Sequence, residues 1–179
     1  MKLRAIIPVK SFREGKGRLS AVLGEAEHNA LNVELLDHML SVTAAFPGAA
    51  QTIVVSPDRD VLDRAAAAGA QGLLDVAGDL NAALALAASH AADHGADGIL
   101  IVPVDLPRSR PGDLLALASC GHGVAIAPDR RGIDVALLYR KDIFRLENSV
   151  SHELLIYNSK EPDKRVYTRD QLVVSGKID

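Results

Sequence analysis

Four cations stand close together near the N-terminus, Lys10, Arg13, Lys16 and Arg18, with Gly15 and Gly17 among them. Lysines act as point charges toward phosphate oxygens, and arginine forks onto two at once. The glycines let a backbone approach such a group closely. The set suits a polyphosphate; otherwise it is a solvated basic loop. A second candidate is Asp105, in the run Pro103-Val104-Asp105-Leu106-Pro107, where two prolines stiffen the chain around one carboxylate. A carboxylate there can hold Mg²⁺, which keeps several waters and uses one or two carboxylates plus substrate phosphates. Its alternative role is to accept bonds from a neighbouring helix's amides.

The elements that must position these residues read as alternating strand and helix. Leu3–Val9 is a short apolar run with β-branched residues that breaks at Pro8 and empties into the basic loop. Glu25–Ala45 reads as a long helix, with Leu31, Leu35, Met39 and Val42 as its core stripe. Thr52–Ser56 is a second strand, Asp60–Ala68 a helix closed by Gly69, and Gly72–Val76 a brief third strand. An alanine-rich helix runs from Gly78 to about His94, capped by Asp79 or Asn81. Gly98–Pro103 is apolar throughout, as a strand buried on both faces is, and Asp105 follows it. A helix at Asp113–Ser119 and a strand at Val124–Ala127, ending in Pro128-Asp129, continue the alternation. The pattern predicts an α/β fold, a doubly wound three-layer sandwich around a mostly parallel sheet. Ligands in such sheets bind in the crevice beyond the carboxyl ends of the strands, where the basic loop falls. Further on, Asp134–Tyr139 reads as a strand and Ser151–Tyr157 as a strand or short helix. Asn158–Lys164 reads as a polar loop, Thr168–Val174 as a short last element, and Ser175–Asp179 as frayed.

Composition narrows the class. A chain of 179 residues, 48% apolar and 24% charged, is most simply one globular domain, residues 1–179. A net charge of -3 argues against a general nucleic-acid binder. One cysteine, Cys120, excludes an internal disulfide or cysteine-rich zinc site and fits a reducing cytoplasm. No apolar run reaches membrane-spanning length, so no membrane partner is expected. His90 and His94 have a metal-ligand spacing but no Glu in a His-Glu-x-x-His pattern, and read as exposed helix residues.

The motifs also carry a resemblance. Pro8-Val9-Lys10 followed by Lys16-Gly17-Arg18-Leu19 resembles the opening of the 2-phospho-L-lactate guanylyltransferase family, which makes part of the deazaflavin coenzyme F-420. Pro103-Val104-Asp105-Leu106-Pro107 resembles that family's metal-bearing motif, and Leu80-Asn81-Ala82-Ala83-Leu84 its segment near the nucleotide. Val54-Val55-Ser56-Pro57-Asp58 resembles its second strand end. The resemblance implies a GT-A-like, Rossmann-like nucleotidyltransferase topology. It implies Lys10, Lys16 and Arg18 as catalytic cations on a triphosphate, and Ser56, Asp58, Leu80 and Asn81 around the nucleotide. Asp58 would face a guanine edge or merely close a turn, and Asn81 would read a base or cap a helix.

The likeness runs to about Gly132. Beyond it, the family's Gly-Thr-Asn-Ala-Leu becomes Gly132-Ile133-Asp134-Val135-Ala136-Leu137, a glycine-rich loop is replaced around Leu146–Val150, and a late Asp-x-Asp-Thr becomes Arg165-Val166-Tyr167-Thr168. Ser149 and Thr168 remain, Ser149 as a substrate-binding candidate, and Asp134 becomes the substitute metal ligand. The expected activity is an Mg²⁺-dependent transfer of GMP from GTP to a small phosphorylated carboxylic acid (2-phospholactate, phosphoenolpyruvate or 3-phosphoglycerate), by a cytoplasmic protein that admits a homodimer. The alternatives are a related nucleotidyltransferase with another base or acceptor, or a nucleotide-binding domain without turnover.

Overall fold

The computed structural model describes residues 2–12, 23–76 and 78–119 in full, and beyond them the backbone of the strands from residue 124 to 178. Six strands form the main sheet: β1 (Leu3–Pro8), β2 (Thr52–Ser56), β3 (Gln71–Leu74), β4 (Gly98–Ile101), β5 (Val124–Pro128) and β6 (Asp134–Arg140). Their order is β3-β2-β1-β4-β6-β5. β1 is parallel to both β2 and β4, and β2 to β3, while β6 is antiparallel to β4 and to β5. Of the strands described in this sheet, β6 alone runs against the rest, so the sheet is mostly parallel.

Four helices cover it: α1 (Glu25–Thr43), α2 (Arg59–Ala67), α3 (Leu80–Asp93) and α4 (Pro111–Ala118). Side chains alternate along a strand, so each strand feeds two cores. One core joins Leu3 and Ile7 of β1, Val54 of β2 and Leu100 of β4 to Leu36, Met39 and Leu40 of α1, Val61 of α2, and Leu114 and Leu117 of α4. The other joins Ile6, Ile53, Val55 and Ile99 to α3, through Ala83, Leu84, Ala87 and Ala91. That is the three-layer sandwich. Burying a large aliphatic side chain contributes about 1.5–3 kcal/mol, so the fully buried Ile6, Ile7, Ile53 and Leu100 are chief anchors of the sheet.

Local chemistry sets the boundaries. α1 ends at Thr43, two residues before the expected point, where the buried Thr43 hydroxyl donates to the carbonyls of Met39 and Leu40. Leu36 and Leu40 are buried beside Met39 and Val42, whereas Leu31 and Leu35 are half-buried: only the C-terminal half of α1 lies fully on the sheet. α4 begins two residues early because Pro111, with φ already helical, occupies its first turn, and Asp113 accepts from the Arg110 N–H at 2.8 Å. Gly69 takes φ +81° just past α2, a conformation an L side chain rarely adopts.

The last third differs from expectation. β7 (Phe144–His152) pairs antiparallel with β10 (Gln171–Ile178), and β8 (Leu155–Asn158) with β9 (Glu161–Tyr167). The polar stretch read as a loop is therefore mostly strand, and the end read as frayed belongs to β10. An antiparallel pair satisfies its backbone through the ladder whatever its side chains, so polarity did not signal loop there.

A fork of two hydrogen bonds, each 2.5 Å, ties Arg64 of α2 to Asp37 of α1. The guanidinium holds the Asp37 carboxyl below its ordinary value, chiefly by hydrogen bonding; burial opposes this, and the Arg64 charge adds a smaller lowering. A carboxylate depressed on folding contributes stability above its unfolded pKa and loses it as pH falls through the folded one. Both side chains are nearly half exposed, so screening keeps the contribution small. Asp37→Asn should cost at most about 1 kcal/mol at neutral pH. In urea unfolding, the difference from wild type should disappear as pH drops through and below the carboxylate range.

Candidate active site

The chain leaves β1, builds outward through β2 to β3, then returns across the sheet to β4 on the other side of β1. The strand order thus reverses between β1 and β4, and the carboxyl ends of those two strands flank the crevice where open α/β sheets take ligands. Pairing continues just past the strands, with Val9 N–H donating to Val55 at 2.9 Å and Val102 N–H to Ile6 at 2.9 Å. Lys10 then emerges exposed beside β2, and the Pro103–Pro107 turn emerges beside it from β4.

The Asp105 turn is held from behind. Val104 and Leu106 pack against the larger core, and Ser109 N–H donates to the Leu106 carbonyl at 3.1 Å. His38 of α1 donates from Nε2 to the Ser109 carbonyl at 3.1 Å. Asp105 itself is exposed at the tip, between two side chains that are anchored. Asp134 opens β6, whose register sets Leu137 opposite Ile101 and Arg140 opposite Gly98. Being antiparallel to β4, β6 starts at the sheet end where β4 finishes, and its pairing with β5 shifts register just before the Pro128–Asp134 pair. Both acidic positions therefore lie at one end of the sheet.

On the other side of the crevice the β1 loop is fixed at its mouth. Asp58 Oδ2 accepts from the Ser11 hydroxyl at 2.7 Å and from the Phe12 N–H at 3.2 Å. Its Oδ1 caps α2 by accepting from Asp60 N–H at 3.0 Å. Asn32 of α1 donates to the Phe12 carbonyl at 3.3 Å and lies 3.2 Å from His28 Nδ1. The Phe12 ring packs on the larger core. Lys16 and Arg18, the other expected cations, lie outside the described residues.

Ser56, expected near the nucleotide, has no exposed surface; its hydroxyl accepts from the Asp58 N–H at 3.1 Å. It shapes the turn that carries Asp58. At α3, the cap is Asp79, whose carboxylate accepts from Ala82 N–H at 3.0 Å. Asn81 is therefore not needed as a cap and stands half-buried in the first turn, beside the exposed Leu80. Ser149 lies in β7, opposite Val174 of β10, in a ladder separate from the main sheet. Cys120 and Thr168 lie outside the described residues.

His90 is half-buried, not exposed as expected: its Nε2 meets the Gln71 amide at 2.6 Å, tying α3 to edge strand β3. Burial first, then the neighbouring His94, pushes its pKa down. His94 Nδ1 donates to the His90 carbonyl at 2.8 Å. Among the described residues no group of three or more His, Cys, Asp or Glu side chains gathers to hold a metal ion, and no helix is long and apolar enough to cross a membrane.

Sequence reading missed Ser11, Asn32 and His38. Asn32 carried a signal: it is a polar residue between half-buried Leu31 and Val33 on α1.

Solved structures share this fold. A structure described as a nucleotide-diphospho-sugar transferase from Desulfovibrio desulfuricans superposes with a TM-score of 0.66 at 21% identity, over 79% of this chain and 64% of that one. A CMP:2-keto-3-deoxy-manno-octonic acid synthetase gives 0.52 at 14%, over 79% and 75%. At sequence level, the phosphoenolpyruvate guanylyltransferase of Sphaerobacter thermophilus is 39% identical over 142 residues, covering 77% of this chain and 69% of the relative. The 2-phospho-L-lactate guanylyltransferase of Methanothermobacter thermautotrophicus is 34% identical over 151 residues, covering 82% and 66%. The chain thus spans about two thirds of the length of these relatives. The profile of the family described as Guanylyl transferase CofC like matches residues 3–179, and the chain belongs to that family.

The division of labour at the start of α3 has a measurable consequence. Asp79→Ala should lower stability by about 1 kcal/mol through loss of the cap. Asn81→Ala should leave the thermal midpoint close to wild type; a midpoint that falls as far as for Asp79→Ala would make Asn81 part of the cap.

Proposed function

We propose that this protein transfers GMP from GTP to a small phosphorylated carboxylic acid, in the cytoplasm, as a step of coenzyme F-420 biosynthesis. The observation that carries this reading is the meeting, at the strand-order reversal of a CofC-like chain, of the basic loop's root beside β1 and the Asp105 turn beyond β4. The acceptor is 2-phospholactate, phosphoenolpyruvate or 3-phosphoglycerate. Phosphoenolpyruvate is the first to test, because the relatives at 39% and 37% identity bear that name.

An oxygen of the acceptor's phosphate attacks the α-phosphorus of GTP. The bond from that phosphorus to the α–β bridging oxygen breaks, pyrophosphate leaves, and the acid is joined to guanosine through a diphosphate. Such transfers need positioning and charge stabilisation more than covalent help. Lys10, Lys16 and Arg18 hold the triphosphate and offset the charge that gathers on the leaving pyrophosphate. Leu80 and Asn81 offer an apolar contact and an amide to the base.

Mg²⁺ fits the donors. It prefers hard oxygen ligands and uses one or two carboxylates, and Asp105 with Asp134 supplies two acidic positions at one sheet end. When bound, it neutralises charge on the phosphate oxygens. Asp105 stands on a turn stiffened by Pro103 and Pro107, so it presents its carboxylate without first being ordered.

Three variants check this. Lys16→Ala removes a charge-assisted contact and should weaken GTP about ten- to a hundred-fold by calorimetry, with an unchanged affinity refuting the assignment. In a pyrophosphate-release assay with phosphoenolpyruvate, Asp105→Asn should abolish turnover yet bind metal-free GTP. Asp134→Asn should raise the Mg²⁺ concentration for half-maximal rate. An Asp105→Asn enzyme that kept most of its rate would place the metal elsewhere.

A further inference from the structure

Phe12, the last residue described before the basic segment, is gripped from three sides. Its N–H donates to Asp58 from the β2–α2 turn at 3.2 Å, its carbonyl accepts from Asn32 of α1 at 3.3 Å, and its ring sits on the larger core. Ser11 adds a hydroxyl to the same Asp58 oxygen at 2.7 Å. Capping α2 requires only the contact from Asp58 Oδ1 to Asp60 N–H. The bonds through Oδ2 do nothing for that helix; they bind a segment 46 and 47 residues away in sequence. Asp58 is itself set by the buried Ser56 hydroxyl, which accepts its N–H. A relay thus runs from the end of β2 to the end of β1.

We propose that Asp58 is a positioning residue for the triphosphate: through Ser11 and Phe12 it fixes the backbone from which residues 13 onward depart. It acts through Ser11 and Phe12, without touching the nucleotide. Hydrogen bonds to a carboxylate are charge-assisted and about twice as strong as neutral ones, enough to hold one exit direction against the alternatives. Preorganising the root of a phosphate-binding loop lowers the cost of ordering it on binding. The inference rests on the guanylyltransferase reading above, and its test has one readout that does not need that reading.

That readout is trypsin cleavage of the folded, full chain at Arg13, Lys16 and Arg18. Asp58→Ala and Ser11→Ala should be cut there several-fold faster than wild type. Equal rates overturn the inference, even if the wild type binds no nucleotide, an outcome that would defeat the functional reading separately. The second readout is the ratio of GTP to GMP affinity. Asp58→Asn keeps a good helix cap and hence the fold, but removes the charge and one acceptor. It should weaken GTP by roughly tenfold and leave GMP nearly unchanged. Adding Ser11→Ala to Asp58→Ala should weaken GTP no further, because both remove one linkage. Equal losses for GTP and GMP would place Asp58 on the nucleoside and overturn the proposal. So would a lowered melting temperature with both affinities intact.

Discussion

Pro8 ends the ladder between β1 and β4, and the crevice exists because it does. Successive residues of a strand turn their backbone groups to opposite neighbours. Ile6 faces β4, accepting from Val102 N–H, and Val9 faces β2, donating to Val55. Pro8, two residues beyond Ile6, therefore turns toward β4 and has no N–H to give. Pro103, one residue after Val102, turns by the same alternation away from β1. β1 cannot extend the pairing, so the strands part there, and the chain beyond each enters loops. β1 keeps its bond to β2 for one residue more, which holds the root of the basic loop on that side. The separation follows from one proline in a region otherwise buried and regular.

The two helical layers divide the work that this arrangement needs. On one face α1 supplies bulky Leu36, Met39 and Leu40, and from the same helix Asn32 and His38 reach the loops that follow β1 and β4. One helix thus packs the core and fixes both rims of the crevice. On the other face α3 presents Ala83, Ala87 and Ala91, small residues at four-residue spacing. Small side chains let a helix approach a sheet closely, and here they bring the start of α3, with Leu80 and Asn81, near the carboxyl end of β3.

What could be read from sequence was what neighbours in sequence decide. The apolar runs of β1, β2 and β4, the positive-φ glycine after α2, and the proline-bracketed Asp105 are local signals, and each marks its element in the structure. The family likeness was legible for the same reason, since its motifs are contiguous. The capping residue of α3 was left open between Asp79 and Asn81 because both are good caps; backbone conformation chose Asp79. The grip on Phe12 was not legible, because it depends on bonds across 20 to 47 residues that only the packed sheet brings together. Strand β9 was missed because apolar alternation marks strands that bury a face, and a two-stranded ladder imposes no such pattern.

β6 bears on where the proposed second acidic position lies. The strand enters between β4 and β5, antiparallel to both. Its antiparallel direction carries its start to the sheet end where β4 finishes, and over the regular part of the ladder a shift of one position would turn the side chains to the opposite face. Leu137 and Leu138, paired with Ile101 and Leu100, oppose such a slip. The residue type at position 134 can therefore change while the end of the sheet at which it lies does not. The proposed second acidic position thus depends on the direction of β6, set by its pairing with β4 and β5, and not on the residue type found there.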